Sequence, residues 1–260
     1  MNLQRISFAG AGRVGGALCR GLFRAGFTID LIVSESAGRG RFLAESCSAS
    51  WSSDLEFPHS TDIIIVAVPD HRLKGVLEAI RCRPDTLIAH TAGSFGLDIF
   101  PEQVNHKGII YPLQTFSHGR EVTFIDLPFF LEASDEHSSE ILKNLVDSVG
   151  GKVHFVDTER RRMLHLAAVF ACNFTNHMIT GGKDISKRAG FSFEVLKPLI
   201  NETISKALTI GPENSQTGPA VRNDRITIEK HLDLLSFSPE LQSLYEEVTR
   251  SIIEYYKDKI

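Results

Sequence analysis

Three glycines near the start of the sequence have the spacing of a phosphate-binding loop. Gly10, Gly12 and Gly15 give G-x-G-x-x-G within RISFAGAGRVGGA, between a strand-like apolar run and a segment with helical spacing. The first glycine permits a tight turn, the second lets the backbone approach a pyrophosphate, and the third allows close helix–strand packing. The first helical turn, which begins with Arg13 and Val14, offers free N–H groups to phosphate. The motif predicts dinucleotide binding; the alternative is a tight turn in an α/β protein that has lost its cofactor.

The end of the second predicted strand bears on which dinucleotide is bound. In LIVSESAGRGR, Ser34 ends the strand and Arg39 and Arg41 follow it closely. A small residue with nearby arginines suits the 2′-phosphate of NADP, whereas an acidic residue such as Glu35 would accept a hydrogen bond from the 2′-hydroxyl of NAD. We favour NADP, contacted by Ser34 and Arg39, over NAD. The alternative for the two arginines is a solvated helix face.

Two later strand ends are expected to lie at the same edge of the sheet. VAVPDH places Val68 and Pro69 at the end of a central strand, and AHTAGSFG places Thr91 and Ser94 at the end of the next. In open α/β sheets, ligands bind outside the carboxyl ends of the strands. We therefore expect Val68, Pro69 and Thr91 to contact the cofactor and Ser94 to contact a substrate. Each segment taken alone is more often a turn than a site.

A mostly apolar stretch, RMLHLAAVFACNFTNHM, is typical of a buried helix, yet it carries His165, Asn173, Asn176 and His177. At about 100° per residue these groups form one broad face, which we expect to line the gap between two domains. On this hypothesis His165 is a general acid and Asn173 orients the substrate. The alternative is that the polar groups bond to backbone or to a partner subunit. The preceding ERRR, residues 159–162, is typical of a solvated face.

Two loops supply further candidates for substrate binding. In YPLQTFS, Gln114 and Thr115 follow a strand and could hydrogen-bond a carbonyl or carboxylate, or could simply cap their own loop. In TGPAVRND, Arg222 could hold a carboxylate through two hydrogen bonds, or could pair with Asp224 to fix the loop.

The elements that must position these residues change in kind along the chain. Strand-like runs alternate with helical segments up to about residue 157, which predicts a mostly parallel α/β sheet; after it only helices are predicted. We therefore expect a dinucleotide-binding domain at 1–157 and a helical domain for substrate binding and dimerisation at 158–260. Strands are predicted at Arg5–Ala9, Ile29–Ser34, Ile63–Val68, Thr86–His90, Gly108–Tyr111, Phe129–Ala133 and Val153–Val156. The later helices are predicted at Thr158–Arg188, Ser192–Leu208, Ile226–Leu235 and Pro239–Tyr256.

Composition excludes several classes of function. The 260-residue chain has a net charge of −4, which gives no electrostatic basis for binding nucleic acid or an anionic membrane. Its four cysteines lack CxxC spacing and its histidines lack metal-ligand spacing, so we expect reduced core thiols and no metal. Apolar runs are too short to span a bilayer, and the N-terminus lacks the pattern of a signal peptide. We expect a cytoplasmic protein without a membrane partner.

Six motifs in order carry a resemblance over nearly the whole chain: ISFAGAGRVGGAL, DIIIVAVPD, HTAGS, YPLQTFS, HLAAVFACNFTNHM and TGPAVRND. The chain resembles the NADP oxidoreductases that join a Rossmann-like domain to the helical domain of unknown function 2520. It is more distantly similar to ketopantoate reductase, 3-hydroxyisobutyrate dehydrogenase, pyrroline-5-carboxylate reductase and coenzyme-F420-dependent NADP reductase. The resemblance implies a Rossmann-like sheet followed by an all-helical domain of the 6-phosphogluconate-dehydrogenase C-terminal type.

The resemblance also implies site residues. In the ketopantoate and hydroxyacid relatives, the first long helix after the Rossmann domain presents a lysine, with an asparagine one or two turns later. The comparable places hold His165 and Asn173, so the lysine is missing. In several NADP-preferring relatives an arginine follows the small residue that ends the second strand, where this chain has Glu35.

Two hypotheses of function follow. The first is an NADP-dependent oxidoreductase that transfers a hydride between nicotinamide and a small carbonyl or imine substrate, with a deazaflavin as a further candidate partner. The second is a non-catalytic protein that senses NADP(H) or serves as an interaction module. The relatives also imply a homodimer, because their long second-domain helices commonly pack across subunits.

Overall fold

The computed structural model describes residues 4–117 and 120–257. The chain forms two compact units that divide between Cys172 and Asn173. The division lies within the helical stretch that begins at Thr158, and the assignment of functional domains to 1–157 and 158–260 stays a prediction. The first unit contains the sheet, whose strands are β1 Arg5–Ala9, β2 Thr28–Val33, β3 Ser50–Ser52, β4 Ile63–Val66, β5 Leu87–His90, β6 Lys107–Pro112, β7 Pro128–Ala133 and β8 Lys152–Phe155.

The sheet has the strand order β3-β2-β1-β4-β5-β6-β7-β8, and every pair is parallel except β6 with β7. The chain winds outward from β1 to β3 and then returns to place β4 on the other side of β1. This reversal creates a topological switch point between β1 and β4, where open α/β sheets bind ligands. The predicted fold class, a mostly parallel sheet followed by an all-helical unit, is confirmed.

The helices of the first unit cover both faces of the sheet. They are α1 Arg13–Arg24, α2 Ala37–Ser46, α3 Asp70–Ala79, α4 Glu136–Ser148 and α5 Thr158–Ala168. All four residues of β4 are buried, and alternate ones enter different hydrophobic clusters. Ile63 and Ile65 pack in the cluster that contains Leu18 of α1, while Ile64 packs in the cluster that contains Leu73 of α3. An apolar strand of this kind needs apolar layers on both sides.

The predicted helix over 158–188 is interrupted. Helix α5 ends at Ala168, a π-helical segment covers Val169–Phe174, and α6 begins at Thr175 and ends at Arg188. The prediction that residues 162–178 form a buried helix is wrong for this chain. Met163 is 63% exposed and Leu166 and Met178 are also exposed. The apolar composition was correctly identified, but the chain itself does not cover these side chains.

In its described residues the second unit contains α6, a 3-10 helix at Phe193–Leu196, and the α-helices α7 Lys197–Ile210, α8 Pro212–Ser215, α9 Arg225–Leu234 and α10 Pro239–Tyr256. Helices α9 and α10 begin with side-chain caps. Asp224 accepts a hydrogen bond from the Thr227 N–H at 3.1 Å, and Ser238 accepts one from the Leu241 N–H at 3.4 Å. The predicted start of the last helix at Ser238 is therefore confirmed. Of the helices in the described ranges, none has the length and apolar character needed to cross a bilayer.

A buried ion pair joins α5 to the sheet. The Arg161 side chain is 0% exposed and its guanidinium forms an ion pair with Glu132 of β7. Its Nη2 also donates to the Phe95 carbonyl at 2.6 Å and lies 3.4 Å from the Thr158 hydroxyl oxygen. The prediction that ERRR is a solvated face is therefore wrong for Arg161, because tertiary packing turns this one arginine inward. The neighbouring Arg160 remains exposed.

We expect Arg161→Met to lower the free energy of unfolding by about 3 kcal/mol, because it leaves Glu132 poorly hydrated without its partner. The double variant Arg161→Met/Glu132→Leu should recover more than half of that loss, since no charge is left unpaired. Arg160→Met is the matched control and should change stability by less than about 1 kcal/mol, because it breaks only a surface pair. Urea unfolding of the three variants measures these differences. Equal losses for the Arg160 and Arg161 variants would contradict the role assigned to the buried pair.

Candidate functional site

The glycine loop between β1 and α1 fits tightly against the end of β4. Gly10 has φ +112°, a conformation that disfavours a side chain, and a Cβ atom there would lie 2.3 Å from the Ala67 carbonyl oxygen. A Cβ atom on Gly15 would lie 2.5 Å from the Gly10 carbonyl oxygen and 3.0 Å from the Ala67 Cβ. These two glycines therefore serve the tight turn and the close helix–strand packing that their spacing predicts.

The middle glycine faces open space instead. Among the described residues, a Cβ atom on Gly12 would meet only the Ala67 carbonyl oxygen, at 3.9 Å. Gly12 is also the N-cap of α1, without a side chain to occupy the first N–H groups of the helix, and the first turn holds no acidic residue. The first N–H groups of α1, on Arg13, Val14 and Gly15, therefore lie at the positive end of the helix without intrahelical carbonyl partners. A helix start of this kind is suited to bind a phosphate group.

The ends of the neighbouring strands align with this loop. The Ala67 N–H donates to the Ala9 carbonyl at 2.8 Å, and the Thr91 N–H donates to the Val66 carbonyl at 3.1 Å. The predicted cofactor residues Val68 and Pro69 follow directly, and Pro69 is the N-cap of α3. The structure thus brings the glycine loop, Val68, Pro69 and Thr91 together at one edge of the sheet.

The end of β2 carries an ordered Ser34 hydroxyl. Ser34 Oγ donates to the Ser36 carbonyl at 3.1 Å and accepts from Trp51 Nε1 at 3.3 Å. Trp51 belongs to β3, a three-residue strand that the sequence pattern did not predict because SWS contains no apolar run. Gly40 of α2 makes room for both groups, since a Cβ atom there would lie 2.2 Å from Ser34 Oγ and 2.3 Å from Trp51 Nε1.

Three charged side chains follow Ser34 closely in the sequence: Glu35, Arg39 and Arg41. Glu35 forms an ion pair with Arg72 of α3, so its carboxylate is already neutralised by a protein group. The Arg41 guanidinium lies over the Trp51 ring, 4.7 Å from its centroid. Arg39 lies in the first turn of α2 and is exposed, as Arg41 is. Of the two arginines considered for the 2′-phosphate, Arg41 already lies against an aromatic ring.

His90 supports the loop that follows β5. Its ring is fully buried and stacks on Phe100 with 5.3 Å between centroids, and its Nδ1 accepts from the Ala92 N–H at 3.2 Å. Burial lowers the pKa of His90 to about 4, so the imidazole is neutral near pH 7. His90 is therefore a support for the loop that holds Thr91 and Ser94 and not a proton donor at that pH.

The predicted acid His165 lies against that loop. A Cβ atom on Gly93 would lie 2.9 Å from both Cγ and Nδ1 of the His165 ring, so only glycine admits this contact. One turn earlier in α5, the Arg162 Nε donates to the Ser94 carbonyl at 2.8 Å. Tyr111 of β6 completes the contacts, with its hydroxyl 2.9 Å from His165 Nδ1. His165 and Ser94 therefore belong to one local arrangement at the carboxyl edge of the sheet.

The other predicted substrate residues are placed in two different ways. Gln114 and Thr115 follow β6 and are exposed, but the side-chain oxygen of Gln114, Oε1, accepts from the Thr115 N–H at 2.8 Å. Asn173 and Arg222 belong to the second compact unit and are exposed. Asp224, considered as a partner for Arg222, caps α9, and hydrogen bonds from Thr227 lower the pKa of its carboxyl.

Sequence reasoning missed Tyr111, Gly93 and Arg162 as members of this arrangement. Tyr111 and Gly93 lie in motifs that the sequence did single out, YPLQTFS and AHTAGSFG, but no local pattern indicates which helix they contact. Tyr111 is separated from His165 by 54 positions, so only the tertiary fold reveals the pair.

Two family models match the chain: a Rossmann-like domain over residues 3–115 and a domain of unknown function, DUF2520, over residues 127–252. None of the curated proteins matches the sequence. A solved structure from Bacteroides fragilis, provisionally named an NADP oxidoreductase, is 39% identical, with a TM-score of 0.89 over 96% of this chain and 98% of its own.

Two further solved structures are similar in fold. A protein from Thermotoga maritima is 24% identical, with a TM-score of 0.70 over 98% of this chain and 99% of its own. An imine reductase from Pseudomonas sp. is 17% identical, with a TM-score of 0.67 over 98% of this chain and 93% of its own.

The geometry of the glycine loop predicts separate effects on stability and on binding. Gly12→Ala should change the free energy of unfolding by less than about 1 kcal/mol, because the added methyl group meets open space in the chain itself. It should weaken NADPH binding about tenfold or more, because the methyl group occupies the space that a phosphate must enter. Calorimetric titration and urea unfolding measure the two quantities.

Gly75→Ala in α3 is the matched control, since a Cβ atom there meets nothing within 4 Å among the described residues. It should add about 0.5–1 kcal/mol of helix stability and leave NADPH binding unchanged. If both alanine variants bind NADPH like the unaltered chain, the glycine loop does not hold the pyrophosphate.

Proposed function

Because the chain belongs to the family that joins a Rossmann-like domain to the domain of unknown function 2520, we propose that it is an NADP-dependent oxidoreductase. It would transfer a hydride between nicotinamide and a small carbonyl or imine substrate. The observation that carries the proposal is the phosphate cradle at the switch point, formed by Gly10, Gly12 and Gly15 against Ala67. The name of the 39% identical Bacteroides fragilis protein supports the same class of reaction.

The end of β2 supports NADP over NAD. A bound 2′-phosphate adds negative charge beside Ser34, where Arg39 is available and the Glu35 carboxylate is already paired with Arg72. NAD recognition normally relies on a free acidic side chain at this place to accept from the ribose 2′-hydroxyl. An acidic residue at the position of Glu35 would favour NAD. Because Glu35 is paired with Arg72, its carboxylate is less available to accept from the ribose 2′-hydroxyl.

In the proposed reaction, His165 donates the proton to the substrate. When bound, the nicotinamide supplies or accepts the hydride, while the protein positions the reactants and handles the proton. A carbonyl or imine that gains a hydride also needs a proton on its oxygen or nitrogen. The imidazole of His165 is suited to supply it, because it lies at the carboxyl edge of the sheet beside the loop that holds Thr91 and Ser94.

The remaining substrate contacts are proposed from residue chemistry. Ser94, Gln114 and Thr115 carry groups that could hydrogen-bond a carbonyl or carboxylate at the edge of the first unit. Asn173 would orient the substrate and Arg222 would bind a carboxylate from the second unit.

The test combines binding and turnover. Titration calorimetry should show NADPH binding more tightly than NADH, by about tenfold if one exposed arginine contacts the 2′-phosphate. Arg39→Ala should reduce this preference, whereas the control Arg41→Ala, with the same charge change on the same helix, should preserve it. The absorbance of NADPH should then fall when small aldehydes, 2-oxo acids and cyclic imines are offered as substrates.

Each outcome of this test has a defined meaning. NADPH binding with turnover of at least one substrate supports the oxidoreductase. Tight binding without turnover of any of these classes favours the alternative, a sensor or interaction protein that binds NADP(H). Folded protein that binds neither dinucleotide would overturn both proposals.

We also propose a homodimer. Among the described residues, the two hydrophobic clusters of buried residues lie in the first unit, and none of the residues of α7 or α9 is buried. Leu199 is 64% exposed and Leu208 is 83% exposed, on a helix that needs an apolar partner to be stable in water. A second copy of the chain is the occupant that the long, apolar helices of this unit suit best.

A cytoplasmic location is part of the same proposal. All four cysteines are free thiols, as expected in a reducing compartment. Cys19 and Cys47 are core thiols, as predicted, whereas Cys172 is exposed, so the expectation of a core thiol is wrong there.

Sedimentation equilibrium should give the mass of two chains at micromolar concentration. Leu199→Glu and Leu208→Glu should shift the mass toward one chain, because a carboxylate cannot be buried in an apolar interface without a partner. Phe42→Glu is the matched control: Phe42 is 69% exposed but lies on α2 of the first unit, and its replacement should leave the dimer intact. A one-chain mass for the unaltered protein would remove the proposal of a dimer.

A further inference from the structure

A tyrosine and a histidine meet at the candidate site. Tyr111 is the penultimate residue of β6, and its hydroxyl oxygen lies 2.9 Å from Nδ1 of His165. The rings meet edge to face, with 5.7 Å between centroids and 76° between planes. The contact therefore combines a hydrogen bond with a defined ring orientation.

The surrounding contacts fix the imidazole from other directions. Gly93 lies against Cγ and Nδ1 of the His165 ring, and the helix that carries the ring is held one turn earlier by Arg161 and Arg162. The two ring nitrogens of a histidine are distinct, and the partner of one determines which role the other takes. With Nδ1 bound to Tyr111, the nitrogen left to meet a ligand is Nε2.

The surroundings of Tyr111 keep its hydroxyl neutral. Burial raises the pKa of the Tyr111 phenol, and the nearby groups of Asp70 and Cys172 raise it further. A protonated phenol can accept a hydrogen bond from Nδ1–H of a charged imidazolium and equally from Nδ1–H of the neutral ring that has lost its Nε2 proton. It can thus hold Nδ1 before and after a proton leaves the ring.

We propose that Tyr111 is the positioning residue for His165, holding Nδ1 so that Nε2 delivers the proton in the reduction. This inference rests on the proposed function. As the hydride adds to the substrate carbon, the π electrons of the C=O or C=N bond move to the oxygen or nitrogen, which takes the proton from Nε2. His165 is left neutral with its proton on Nδ1, donated to the Tyr111 oxygen, and water restores the proton on Nε2.

Two groups that act on the Tyr111 phenol come from other elements. Asp70 comes from the start of α3 and Cys172 from the π-helical segment. Tyr111→Phe removes one oxygen atom and leaves both of them in place. Its effect on catalysis therefore reports on the hydrogen bond to Nδ1.

The experiment is a double-mutant cycle measured with NADPH and the best substrate of the aldehyde, 2-oxo acid and imine panel. Tyr111→Phe should lower kcat about tenfold with little change in the NADPH dissociation constant. In a His165→Ala background the same substitution should lower kcat by less than about twofold, because a residue that acts through His165 has nothing left to position.

The pH profile supplies a readout that packing alone would not change. A hydrogen bond to the charged imidazolium is stronger than one to the neutral ring, so losing it favours the neutral form. The alkaline limb of kcat should therefore move to lower pH in Tyr111→Phe.

The chain offers a matched control in its second unit. The Tyr245 hydroxyl lies 2.8 Å from His231 Nδ1, with 5.7 Å between the ring centroids and 80° between the ring planes. This tyrosine–histidine pair has nearly the same geometry as Tyr111 and His165 but lies in the second unit. Tyr245→Phe should leave kcat and its pH profile unchanged.

If Tyr111→Phe fails to fold, 3-fluorotyrosine at position 111 replaces it, since it keeps the ring and hydroxyl but weakens the oxygen as an acceptor.

The outcomes separate this inference from the proposed function. Absence of turnover by the unaltered protein would count against the oxidoreductase itself. Turnover that persists unchanged in the Tyr111 variant, or that falls equally with and without His165, would overturn the positioning role while leaving the oxidoreductase standing.

Discussion

The geometry of the candidate site depends on the buried guanidinium of Arg161. A charge removed from water costs several kcal/mol unless it is paired and hydrogen-bonded. Here Glu132, the Phe95 carbonyl and the Thr158 hydroxyl surround it, and they come from β7, from the loop after β5 and from the start of α5. The requirement to satisfy this charge therefore joins three elements that are distant in sequence. His165 follows one turn later on the same helix face, so the ion pair determines where the predicted acid lies.

The reversed strand β7 makes this arrangement possible. Ile109 of β6 pairs with His90 on one side and with Glu132 on the other, so the buried histidine and the ion pair lie at one level of the sheet. Strand β7 is antiparallel to β6, and β8 is parallel to β7. The chain therefore leaves β8 at the edge of the sheet opposite to the carboxyl ends of β1 to β6, and α5 runs back toward those carboxyl ends. Arg161 meets Glu132 on the way, and His165 reaches Tyr111, two residues further along β6.

What could be predicted from the sequence was local. The glycine loop is a short motif whose steric demands at Gly10 and Gly15 arise from residues that directly adjoin it, so spacing was sufficient. The strands followed from apolar runs such as IIIV. Strand direction did not, because an apolar run such as that of β7 has the same pattern in either orientation. Arg160 and Arg161 are adjacent and chemically identical, and only the fold makes one exposed and the other buried.

The π-helical segment shows why the helix that carries the candidate acid was harder to interpret. A regular helix would place His165, Val169 and Asn176 on one stripe, but the wider turns over Val169–Phe174 break the 100° step on which that stripe depends. The segment contains neither proline nor glycine, the residues that usually reveal a helix irregularity in a sequence. It also contains the division between the two compact units. His165 is therefore positioned by the sheet through Arg161 and Tyr111, whereas Asn173 belongs to the helical unit.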